Sequence, residues 1–126
     1  MDSKKVIIVD DNSVLKNTLV LFFKMKGFQV FAFDKIESLK SFILSEKVEK
    51  VDLAIIDYNL EENENGEHIA DFLRKRYVGI KIILISGFFP PSFESVVSDK
   101  NYELLSKPFD IYELTDVLKK IGVLDA

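Results

Sequence analysis

Four short apolar runs in this 126-residue chain each end on a charged or reactive side chain. Val6 to Val9 leads into Asp10-Asp11, Leu53 to Ile56 into Asp57, Ile82 to Ile85 into Ser86, and Leu104 to Ser106 into Lys107-Pro108. Runs of this length, rich in Val and Ile, read as strands buried on both faces, the signature of a parallel sheet covered by helices. In such a sheet all strands point one way, so their carboxyl ends gather in one crevice, where ligands bind. The pattern thus predicts a fold and puts three acids, a hydroxyl and an ammonium at one edge of it.

Between the runs lie helical signals. Asn12 or Ser13 is expected to cap a first helix with Leu15, Leu19, Phe22 and Phe23 on its inner face, ending at Lys26-Gly27. Phe28 to Phe33 reads as a second strand, after which Asp34 caps a helix carrying Ile36, Leu39, Phe42 and Ile43. Val51 to Ile56 is the third strand; the acidic stretch Asn59 to Glu67 is a loop before a helix with Ile69, Phe72 and Leu73. Gly79 precedes the fourth strand, Ile80 to Ile85. The prolines of Gly87-Phe88-Phe89-Pro90-Pro91 exclude regular structure, and a short helix is expected around Ser92 to Ser98. Tyr102 to Ser106 is the fifth strand. Asp110-Ile111-Tyr112-Glu113 has the form of a capping box opening a last helix through Leu114, Val117, Leu118 and Ile121, closed by Gly122. Strand then helix, five times over, means a three-layer α/β sandwich with right-handed crossovers.

Composition narrows the function classes. The length suits one domain spanning residues 1–126. A 48% hydrophobic and 30% charged balance is that of a globular chain rather than a disordered one. No apolar stretch is long enough to span a bilayer and the first residues do not form a signal h-region, so no membrane partner and a cytoplasmic location are expected. The absence of cysteine excludes disulfides, thiolate metal sites and a Cys nucleophile. Net charge is −4 and the basic residues form no stripe in the sequence, so direct nucleic-acid binding is not expected.

If the first strand is central and the third lies beside it, Asp10, Asp11 and Asp57 share one pocket. Three carboxylates that close repel, and a cation must compensate; all-oxygen ligands suit magnesium, with the Asn59 backbone carbonyl adding a ligand. Lys107 would pair with a carboxylate or with a bound oxyanion, and Ser86 offers a hydroxyl at the same rim. Such a set suits phosphoryl transfer to a carboxylate. A lone Asp after a strand is often only a cap. Five suitable residues at four strand ends make that reading poor for the set.

These residues resemble the receiver domain of bacterial two-component response regulators, of the single-domain chemotaxis type. The resemblance covers essentially the whole chain and rests on Asp10-Asp11, Asp57, Ser86-Gly87 and Lys107-Pro108-Phe109 in that order and spacing. It implies a flavodoxin-like five-stranded parallel sheet of order 2-1-3-4-5 with helices on both faces. It further implies that Asp57 accepts a phosphoryl group from a phosphohistidine on a sensor histidine kinase or phosphotransfer protein. Asp11, Asp57 and the Asn59 carbonyl would hold Mg2+, with Asp10 acting mostly through water. Lys107 would pair with the phosphoryl group, Ser86 would hydrogen-bond it, and Lys107-Pro108 would be cis. The role is regulatory rather than enzymatic, with output as binding to a downstream protein, whether the chain is a stand-alone receiver or part of a larger regulator.

The chain departs from the family pattern in three places. Leu104 stands where many receivers carry a switching Tyr or Phe, and Tyr102 shares its strand face further from the site. The loop after Asp57 lacks the frequent proline and carries Glu61, Glu62, Glu64 and Glu67, an acidity expected to favour cations and repel small anionic phosphodonors. Phe88-Phe89-Pro90-Pro91 makes the loop after Ser86 stiff and apolar. The alternative is therefore a pseudo-receiver, an interaction module that keeps the fold without being phosphorylated. An aspartyl phosphatase would want Asp-x-Asp after the first strand, and a flavin site a Ser/Thr-rich loop where Asp10-Asp11-Asn12 stands. His68 reads as a surface residue, and the Phe22, Phe23, Phe28, Phe31 and Phe33 series as core packing.

Overall fold

A computed structural model describes residues 3–45, 48–58, 66–87 and 102–125. Five parallel strands, β1 (Lys5–Val9), β2 (Gln29–Phe33), β3 (Leu53–Asp57), β4 (Lys81–Ser86) and β5 (Glu103–Ser106), form one sheet in the order β2-β1-β3-β4-β5. Among the described residues, four helices, α1 (Ser13–Met25), α2 (Ile36–Ser45), α3 (Gly66–Arg76) and α4 (Ile111–Lys120), cover it. None is long and apolar enough to cross a membrane. Residues 59–65 of the expected acidic loop, Phe88 to Pro91 and the helix expected around Ser92 to Ser98 lie outside the described residues, whereas Gly66 and Glu67, expected to end that loop, already open α3.

Strand parity sorts the core into two layers. Ile7 and Val9 of β1, Ala54 and Ile56 of β3 and Leu84 of β4 face α2 and α3, which contribute Leu39, Ile43, Ile69 and Leu73. Val6 and Ile8, Leu53 and Ile55, and Ile83 and Ile85 face α1 and α4, which contribute Leu19, Phe23, Leu114 and Leu118. All of these are buried. A sheet buried on both faces explains why its strands read as unbroken apolar runs rather than alternating ones.

The ends of the elements follow their sequence signals with instructive exceptions. Asn12 caps α1, its side chain accepting the Leu15 N–H at 3.1 Å. Asp110 and Glu113 form the expected capping box on α4. Phe28 is not the first residue of β2. Gly27, at φ 86°, reverses the chain so that its N–H donates to the Lys24 carbonyl and the Phe28 N–H to that of Phe23. The Phe28 ring then packs edge-on against Phe23 at 5.0 Å, completing a Schellman closure with its apolar contact. Gly122 closes α4 likewise, with the Val123 N–H on the Leu118 carbonyl at 2.9 Å. Asp34 is one residue too early to cap α2: the Lys35 carbonyl accepts the Leu39 N–H, and the Asp34 carboxylate takes the Lys16 ammonium instead. Phe31 and Phe33 pack on Phe42 of α2 at 4.9 and 5.3 Å, so the aromatic series is core.

Candidate functional site

Pairing of β1 with β3 in parallel, Val9 opposite Ile56, brings the carboxyl ends of the two strands side by side. Asp10 follows β1 directly, and Asp57 is the last residue of β3 rather than the first of a loop. Carboxylate oxygens of Asp10, Asp11 and Asp57 all lie within 4.8 Å of one another. Asp10 is wholly buried and Asp57 nearly so, while Asp11 is exposed. The Lys107 ammonium reaches the same pocket from just beyond β5, 3.3 Å from Asp10 Oδ2 and 3.4 Å from Asp57 Oδ2. Its backbone is fixed by a 2.7 Å hydrogen bond from the Lys107 N–H to the Ser86 carbonyl, and the Lys107-Pro108 bond is cis as expected. Ser86 is buried at the end of β4.

The two oxygens of Asp10 have different surroundings. Oδ1 accepts the Asn12 backbone N–H at 2.8 Å. Oδ2 is buried and, although the Lys107 ammonium is close, it has no aligned hydrogen bond among the described residues. Burial therefore pushes the Asp10 carboxyl above its ordinary value, against the opposing pull of the Asn12 N–H and the Lys107 ammonium. The Asn12 amide thus contacts the site in addition to capping α1, and an Asp with an amide two residues on that can close an Asx-turn is the sequence signal for this contact.

Three carboxylates and one ammonium sum to a formal charge of −2, which one divalent cation neutralises. The donors are hard oxygens, and a buried oxygen lacking an aligned donor is the arrangement a cation would complete, so these residues fit magnesium. The Asn59 carbonyl falls outside the described residues.

Behind the site, Leu104 packs in the α2 and α3 core together with Tyr102, so the two share a strand face as expected. Tyr102 is tied elsewhere. Its hydroxyl donates to Asp71 of α3, the Arg74 guanidinium lies 5.5 Å over its ring, and its pKa is pushed up to about 12 by burial and the Asp71 carboxylate.

Comparison with known proteins bears on the fold and the family. No curated protein sequence matches. Among solved structures, the chain is similar to the non-phosphorylated HemR receiver domain from Leptospira biflexa, at 18% identity, TM-score 0.82 and 98% coverage of both chains. A CheY-like response regulator receiver domain protein from Methanospirillum hungatei JF-1 has 19% identity and TM-score 0.80, covering 94% of this chain and 93% of its own. A response regulator receiver protein from Pseudomonas putida has 24% identity and TM-score 0.78, covering 95% and 98%. At these identities the likeness is one of fold. The family assignment comes from the sequence model for the response regulator receiver domain, which matches residues 6–119. The chain therefore belongs to the response regulator receiver domain family, the regulatory modules of two-component signalling.

Proposed function

We propose that this receiver is a phosphoacceptor switch in which Asp57 takes a phosphoryl group from a phosphohistidine on a sensor histidine kinase or phosphotransfer protein. One observation carries the reading: three carboxylates converge within 4.8 Å, and one ammonium contacts two of them. An Asp57 oxygen attacks phosphorus as the P–N bond breaks, and the departing imidazole keeps the electron pair and takes up a proton. Asp10, Asp11 and Asp57, with the Asn59 carbonyl, would hold Mg2+. When bound, the ion offsets charge on the phosphoryl oxygens. Lys107 moves its ammonium from the Asp57 carboxylate to a phosphoryl oxygen, a short step for a side chain already 3.4 Å away. The Ser86 hydroxyl then hydrogen-bonds the phosphoryl group. Because Ser86 ends the strand next to β5, its movement biases the face formed by β5 and α4 toward binding a downstream protein.

A second reading has its own support. Leu104 lacks the ring that would follow Ser86 inward, and the Tyr102 hydroxyl is held by Asp71 at the opposite end of β5. A phosphorylation-independent interaction module would look the same there. Phosphotransfer from a phosphohistidine donor to the wild-type chain and to Asp57→Asn, with magnesium and with chelator, separates the two. Labelling of the wild type alone, and only with magnesium, is expected. Equal labelling of both proteins would remove Asp57 from its role, and a chain that neither labels nor responds to beryllofluoride would be the interaction module.

A further inference from the structure

We propose that the edge of the sheet opposite the acid cluster docks on an anionic phospholipid surface. Topology gathers there what the sequence disperses. In an all-parallel sandwich every strand start and every helix end lies at one edge. Here the strands start at Lys4-Lys5 and Lys81, with Lys50 just before β3. Three of the four described helices close on basic residues, α1 on Lys24 and Lys26, α3 on Arg74 to Arg76 and α4 on Lys119-Lys120. Eleven of the chain's seventeen Lys and Arg thus share this edge, and all but Lys5 are exposed. Among the described residues at these strand starts and helix ends, the acids are Glu49, Asp52, Glu103 and Asp125, of which Asp52 pairs with Lys50 and Glu103 with Lys120. A net acidic protein therefore carries a strongly basic edge. Helix dipoles account for basic residues at helix ends but not for lysines that open strands.

Charge alone would suit any polyanion. The apolar residues between the cations favour a bilayer. Met25 at the end of α1 is 78% exposed, Leu44 near the end of α2 is 86% exposed and Val78 just after α3 is 93% exposed. They come from both layers of the sandwich, and Met25 and Val78 are flanked in the chain by the basic residues, while the last turn of α2 that carries Leu44 has none; cations with shallowly inserting apolar groups are the combination that holds proteins at anionic membranes. A phosphodiester backbone has no use for them. A cleft of about 530 Å³ at this edge is lined by Arg74, Lys81 and Lys120, with Val78 and Tyr102 beside them; Glu103 also lines it and takes the Lys120 ammonium, so Arg74 and Lys81 are the cations it offers a lipid headgroup beside apolar surface.

The acidic edge does not cancel the attraction. Lys81 to Ser86 spans roughly 16 Å at strand rise, about twice the screening length at physiological salt. Docking in this orientation turns the Asp57 edge away from the bilayer.

Cosedimentation of the full chain with vesicles tests the assignment, using phosphatidylglycerol mixed with phosphatidylcholine against phosphatidylcholine alone. Binding to the mixed vesicles only, weakened by salt, is expected. Lys75→Glu/Lys119→Glu should weaken it about thirtyfold or more. Met25→Ser/Val78→Ser should weaken it several-fold at high salt, where the apolar share dominates. Lys35→Glu, a reversal before α2 at the other edge, should change it less than threefold. Circular dichroism confirms that each variant is folded. Absence of binding to the mixed vesicles overturns the proposal, and if duplex DNA binds instead the edge belongs to nucleic acid. Equal losses from Lys35→Glu and from the paired reversal would also overturn it.

Discussion

Replacing Lys107 with Met isolates the electrostatics of the acid cluster. The substitution keeps the length of the side chain and removes the ammonium that lies 3.3 Å from Asp10 and 3.4 Å from Asp57. At an effective dielectric of about 20, each contact is worth roughly 5 kcal/mol of gross attraction. The net value is much smaller, because the lysine was itself desolvated and its side chain is still a quarter exposed. Removing one partner of a buried pair typically costs about 3–5 kcal/mol, and discounting for that exposure leaves about 2–4 kcal/mol here. With a urea m-value of about 1.5 kcal/mol/M, the midpoint measured in chelator should fall by roughly 1–3 M. Asp10 also sets the pH dependence. Its pKa is raised by folding, so the native state holds this proton more tightly than the unfolded chain does. Its contribution to stability is full below the ordinary carboxylate range and is lost as pH rises through the raised value. The Lys107→Met penalty should accordingly shrink on acidification, and at neutral pH it should fall by about half in an Asp10→Asn background. A penalty below about 0.5 kcal/mol in chelator, or one unchanged by Asp10→Asn, would refute the reasoning.

Other consequences are open to measurement. Magnesium in excess should raise the calorimetric Tm of the wild type, and Asp11→Ala should abolish that response while raising metal-free stability by about 0.5–1 kcal/mol, since it removes one of three mutually repelling carboxylates and Asp11 is exposed. Folding raises the Tyr102 pKa to about 12, so its contribution to stability is complete below the ordinary tyrosine value near 10 and declines between the two. Tyr102→Phe should therefore flatten the alkaline fall in stability; identical slopes for both proteins would exclude Tyr102 as its source. Asp110→Ala removes the acceptor for the Glu113 N–H and should cost about 1 kcal/mol in urea unfolding.

Most of the site was legible because parallel sheets convert strand endings into neighbours. Asp10, Asp57, Ser86 and Lys107 needed only an apolar run before them to be placed, and register brings them together. Boundaries were harder where a residue had two competing roles. Phe28 is apolar enough for a strand, but its N–H and ring finish α1, and Asp34 is a good cap that a lysine eighteen residues earlier engages first. Contacts made across layers leave no local trace. Nothing near Tyr102 in the sequence announces Asp71, and the basic edge is spread over pairs and runs that only the fold collects.

The sheet that divides the core also acts as an insulator. Odd and even positions of each strand answer to different helices, so a side chain changed under α2 or α3 meets the α1 and α4 layer only through rigid backbone. Volume changes on the two sides should add rather than compensate one another. Two surfaces supported in this way can drift at separate rates. A single small chain can then revise the partner recognised by one flank while keeping the other unaltered.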